Sequence, residues 1–317
     1  MSMSVLQFVL TIFALVSAVL NLTIIISIRR HRKDNTILKG SFFSLTTIQS
    51  AADILLACET ALLMRARKYR YLDFMLVEGN ALWYILPWVT NFFNYHIKGV
   101  IYLGHILLSF NRFTAVFFPL KYESFWDSKP MKFVKAFIWI IPSFFYLPIV
   151  LNFNYHMWYS MGTNNETVRL QMDDESTQLI SYFDASLSFG ATVISFIFHL
   201  SSAFKISKQM ITHNINQYHS IEIRLFIASV LLFILLSLNT TVHIAAIVVS
   251  NTGNTVLVMW LYDLSYPMLD MLCSANPWIL CLTSSATRDA VKRLLLPSKK
   301  DEVTSIRLVS PSTNSAI

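Results

Sequence analysis

The stretch "NRFTAVFFPLKY", Asn111 to Tyr122, closes a long apolar run with an arginine and then supplies a proline, a lysine and a tyrosine. A cation at such a border is costly unless the run ends at a membrane surface or inside a protected cavity. The rest of the chain decides between these. Of its 317 residues 55% are hydrophobic and only 14% charged, whereas a soluble domain carries roughly a quarter charged residues. The charges are also clustered. This is membrane composition.

Residues 5–28, 136–155 and 225–250 hold no Asp, Glu, Lys or Arg, and a membrane helix needs roughly 20 residues. Four further apolar runs carry isolated charges: Asp53 and Glu59 in the second span, Lys98 in the third, Asp184 in the fifth, Asp263 and Asp270 in the seventh. The pattern predicts helices near 5–28, 41–64, 91–117, 133–155, 179–206, 223–250 and 256–282, and a short amphipathic helix near 285–296. One domain, 1–297, is followed by a disordered tail, 298–317. Barrel strands would be half as long and alternating, so the expected fold is an all-α, seven-transmembrane helix bundle. The first run lacks a basic leader and ends in Arg29-Arg30-His31-Arg32-Lys33, which reads as a stop-transfer flank rather than a signal peptide.

Orientation follows from the cations. Seven spans put nineteen Lys and Arg on the side of the third loop and the tail, and five on the other. The positive-inside rule sets the C-terminus in the cytoplasm and the N-terminus outside. This bias accounts for the basic net charge with no nucleic acid as partner. Four of the five outer cations fall in 65–70 and are read as a solvated loop. The sequon at Asn165 lies in the outer loop 152–178 and is the expected glycosylation site.

In the third span Asn91, Asn94, Lys98, His105, Ser109 and Arg112 recur at helical spacing, so one polar face must turn inward. At about 1.5 Å per residue Lys98 stands roughly 21 Å above Arg112. Glu59 and Asp270 fall near its level, and Asp270 is the expected ionic partner. The alternative is that Glu59, Asn91, Asn94, Lys98 and Asp270 line a ligand pocket in which Lys98 meets an acidic or carbonyl group. Asp184 and Asp263 are expected at the rim.

The opening stretch resembles the inner end of the third helix in rhodopsin-like G-protein-coupled receptors: Arg112, Ala115, Val116, Pro119, Leu120 and Tyr122 match that pattern in register. "SAADILL" with Asp53, "VLNLTIII" with Asn21, Trp139 with Pro148, and "NPWIL" with Asn276 and Pro277 are similar to the family's other marks. Asn111 in place of the acid, Phe125-Trp126 after the motif and Leu280 in place of a tyrosine point within that family to a nematode chemosensory serpentine receptor of the class gamma superfamily, class V branch. The resemblance implies an odorant or pheromone-like small molecule as ligand, a heterotrimeric G protein as partner, and a place in the cell membrane of sensory neurons, at their cilia. It assigns Asn111, Arg112, Phe113, Pro119 and Tyr122 to activation and coupling. It assigns Asn21, Asp53, Asn276 and Pro277 to a mid-membrane polar cluster.

Departures limit the carry-over. Cysteine occurs only at 58, 273 and 281, all in spans, so the family's bridge to the second outer loop is missing and that loop should be more mobile. Spans five and six lack proline. Asn94 in place of an acid argues against monoamines, and Asp270 in place of a lysine against retinal. A seven-helix transporter or ligand-gated channel is the competing class; it would favour paired repeats and broken helices, and the one break noted is at Pro277. An enzyme is not expected, nor any metal or cofactor: His96, His105, His199 and His243 form no His-x-x-x-His pair with a nearby acid.

Overall fold

The computed structural model of the chain describes residues 5–32, 36–72, 80–152, 154–161, 167–212, 217–250, 252 and 255–295. Among these, six helices are long and apolar enough to cross a membrane. The first is α1 (Val5–His31), its exposed side made of Val5, Phe8, Val9 and Ile12 and its buried side of Ala14, Ser17, Ala18 and Asn21. That inverts the polarity of a water-soluble helix, as lipid demands. A short turn, α2 (Thr36–Lys39), leads to α3 (Ser41–Glu59), which continues as a π segment, Thr60–Ala66.

The third spanning helix, α4 (Ala81–Phe117), starts ten residues before the predicted boundary because Asn80 caps it, accepting from the Leu82 N–H. Its 37 residues extend about 55 Å. Phe118 leaves the helical region (φ −131°, ψ 53°) and Pro119 prevents its continuation. A one-turn helix, α5 (Tyr122–Trp126), follows.

The fourth span, predicted as one helix, is two: α6 (Lys129–Phe137) and α7 (Ile141–Val150). Pro142 at the start of α7 cannot donate to the preceding turn, and the N–H groups of Trp139 and Ile140 tighten into i to i+3 bonds. The helix also stops at Val150 rather than 155. Beyond it lies an antiparallel hairpin, β1 (Met157–Met161) with β2 (Val168–Met172), in the register Met157 to Met172. It packs on α4, with Trp83 edge-on to Tyr159. No bridge tethers the loop, since all three cysteines carry free thiols, yet it is a packed hairpin where the sequence suggested loose chain. Asn165 lies outside the described residues.

The remaining helices are α8 (Asp174–Thr212), α9 (Gln217–Ser250), α10 (Thr255–Thr283) and α11 (Ser285–Leu295). At 29 residues, α10 covers the range expected for the seventh span. Asp173 opens α8: burial would raise its carboxyl, but the N–H groups of Ser176 and His156 hold it below the usual carboxylate range.

Contacts run α1 to α3, α3 to α4, α4 to α8, α8 to α9, α9 to α10 and α10 back to α1. The central helix is α4, which also touches α7 and α9, as its polar stripe requires. A glycine permits one of these approaches. A Cβ on Gly99 would stand 2.8 Å from Pro142 Cβ and 3.3 Å from Leu187 Cδ2. The proline ring cannot swing away, so Gly99→Ala is expected to separate α4 from α7 and lower stability by about 1–3 kcal/mol. Thermal unfolding of the detergent-solubilised chain checks this; an unchanged midpoint would mean that α7 yields freely.

Candidate functional site

Three polar layers divide the bundle. At one end Arg112 is 2% exposed, and its guanidinium lies 4.4 Å over the Phe42 ring. Nη2 donates to Asn111 Oδ1 at 2.6 Å and to the Tyr122 hydroxyl at 3.0 Å. The Tyr122 hydroxyl donates to Asn111 Oδ1, also at 3.0 Å, and Asn111 Nδ2 donates to Ser41 Oγ. Asn111 thus takes the geometric place of an acid. Its carbonyl gathers the donors while its amide ties α4 to α3.

The turn after α4 is held by Trp126, fully buried, whose Nε1 donates to Thr114 Oγ1 at 2.8 Å. Lys135 donates to the Trp126 carbonyl. Phe113 faces away from the knot, stacked on Phe117 at 4.4 Å; Pro119 is exposed on the turn. Ser41, Phe42, Thr114 and Trp126 escaped the sequence reading, although Phe125-Trp126 was visible as a departure from the family pattern.

Midway, Asn276 Nδ2 donates to Asp53 Oδ2 at 2.9 Å and to Ser50 Oγ at 3.3 Å. Gln49 reaches the other Asp53 oxygen. Asn21, buried on α1, makes no direct bond to either among the described residues. Pro277 lies in α10 as expected, but so does Pro267, so the helix carries two interruptions rather than one. Nearer Arg112, a narrow crevice between α4, α8 and α9 is lined by His105, Ser109, Ser195, His199 and Ser229.

The layer nearest the hairpin holds the charges, and their pairing corrects the sequence reading. Asp270 is joined to Arg65, not Lys98. The π segment supplies the reason: its wider turn re-aims the side chains that follow, and Arg65 is buried at 7% exposure rather than solvated. Arg67 is buried as well, 4.8 Å over the Tyr159 ring and donating to the Val168 carbonyl. Burial pushes the Tyr159 phenol up from its ordinary value.

Lys98 approaches Asp184 instead, Nζ to Oδ2 3.8 Å, and lies over the Tyr95 ring at 4.6 Å. Asp184 is therefore no rim residue; it is 1% exposed. The side chain of Asp263 lies outside the described residues. Glu59 accepts from Asn94 Nδ2 at 3.0 Å. Asn91 points its amide at the sulfurs of Met157 and Met172, which ties it to the hairpin.

Apolar surfaces outside, buried ions inside and one central polar helix define a serpentine, multi-pass membrane protein. A family model described as Srg family chemoreceptor matches residues 7–291, nearly the whole chain. The chain belongs to that family, and the nematode chemosensory serpentine resemblance read from Asn111, Phe125-Trp126 and Leu280 is borne out. It is also similar to serpentine receptor class V-1 of Caenorhabditis elegans, 30% identical over 115 residues covering 34% of each chain. The match thus spans about a third of that relative's length.

Proposed function

We propose that the chain is a chemosensory receptor of a sensory cell's membrane, set at its cilia, which takes a small molecule between the hairpin and the midplane and passes the signal to a heterotrimeric G protein at the Arg112 end. The charge bias supports an outer hairpin and an inner Arg112 end. One observation carries the reading: the buried Arg112 donates to Asn111 and Tyr122, beside an ordered turn. Such a knot can open when the helices that hold it shift. A ligand acts by favouring the open arrangement to the extent that it binds it better.

The turn offers the partner a handle. Leu120 is 99% exposed, while Tyr122 and Trp126 on either side of α5 are anchored in the core. A rigid turn presenting one bare leucine to water fits an apolar socket on another protein. Leu120→Asp is expected to cut nucleotide exchange on a co-reconstituted G protein by about tenfold or more, with surface delivery unchanged. A receptor that conducts or transports without any G protein, or exchange that survives this change at equal receptor density, would overturn the reading.

A further inference from the structure

The cluster around Asp184 is short of hydrogen-bond donors. Neither carboxylate oxygen accepts a hydrogen bond from the described residues. Lys98 Nζ stands at 3.8 Å, beyond hydrogen-bond length. His243 Nδ1 comes within 3.3 Å of Oδ2 but is not aligned to bond with it. Two further groups there are unsatisfied. The Tyr146 ring lies 5.6 Å from the Tyr95 ring that Lys98 covers, and its hydroxyl has no hydrogen-bond partner among the described residues. The Asn239 carbonyl is also without a donor among the described residues, while its amide is 3.3 Å from the Tyr102 hydroxyl. Four helices, α4, α7, α8 and α9, thus bring three open acceptor atoms and one open hydroxyl to one place.

Burying acceptors without donors is costly, and a molecule that supplies the donors regains that cost on binding. Charge narrows its class. Lys98 and Asp184 already balance, so an ammonium ligand would be opposed by Lys98 and a carboxylate ligand by Asp184. A hydroxyl group suits both: its hydrogen donates to Asp184 or Asn239, and its lone pairs accept from Lys98 or Tyr146. We infer that this cluster is the polar end of the ligand site and takes an uncharged molecule bearing at least two hydroxyl groups. The inference rests on the chemosensory reading given above and names the ligand class of that same region.

The test uses the full chain in phosphatidylcholine nanodiscs, with its unfolding midpoint followed against 1,2-hexanediol, hexylammonium and hexanoate, three probes with one carbon chain and different heads. The diol is expected to raise the midpoint saturably. Its half-saturating concentration should rise about tenfold or more in Asp184→Leu, the worth of one hydrogen bond to a charged group. Should that variant fold poorly, Tyr146→Phe removes one hydroxyl from the same cluster and should weaken the diol alone. A larger effect from either ion overturns the assignment, and so does a diol effect that is absent or equal in wild type and variant. No G protein enters this measurement. A receptor that stimulates exchange yet ignores the diol loses this assignment and keeps its function.

Discussion

Arg112→Ala is expected to abolish signalling while leaving delivery to the cell surface largely intact. The guanidinium joins Asn111 and Tyr122 at the end of α4 away from the hairpin, and those two retain each other through the Tyr122 hydroxyl when it is gone. The fold therefore keeps the bond from Asn111 to Ser41. What disappears is a buried cation that an opened bundle would offer a partner. A hydrogen bond made by a charged group is worth about 1.5–3 kcal/mol, so the loss of this cation should lower exchange by about a hundredfold. Tyr122→Phe works in the opposite sense. It keeps the ring and removes the hydroxyl that restrains Arg112, so ligand-independent exchange should rise. Second-messenger output at matched surface density reads both. Signalling by Arg112→Ala at wild-type level would remove the arginine from the mechanism, and a silent Tyr122→Phe would mean that the knot does not restrain the resting state.

What the sequence shows plainly is what lipid enforces. Helices appear wherever roughly 20 apolar residues run together, and the polar side of α4 appears because Asn91, Asn94, Lys98, His105, Ser109 and Arg112 keep helical spacing. Depth along the helix was legible too, since rise per residue is nearly constant. Direction around the axis was not. Asp270 lies near the level of Lys98 but turns to Arg65. Asp184, expected at the rim of a span starting near 179, lies deeper because α8 already begins at Asp174, and it faces Lys98.

The π segment was hidden for a related reason. Its pattern of Thr60 to Ala66 differs little from that of an α-helix, yet one extra residue in the turn carries Arg65 from lipid or loop to Asp270. The hairpin escaped because its strands are five residues each and lie in a polar stretch read only as the gap between spans. The knot, by contrast, was compact in sequence. Ten residues separate Arg112 from Tyr122, and Pro119 between them forces the turn that brings them together.

Removing either partner of the Arg65–Asp270 pair should harm the protein more than removing both. The two side chains are 9% and 4% exposed, and the pair ties the end of the second spanning helix to α10. A lone buried charge costs about 3–5 kcal/mol, whereas an apolar pair of similar volume is often neutral or stabilising. Arg65→Met and Asp270→Leu are each expected to retain most of the chain inside the cell and to lower its unfolding temperature. The double variant should recover both properties, because no charge is then left without a partner. That recovery separates an ion pair from two unrelated packing losses, which would add. If the double variant is worse than either single one, the two residues contribute independently. The π segment would then owe its inward turn to the packing of Thr60 and Ala61, both buried beside it, rather than to the charge on Asp270.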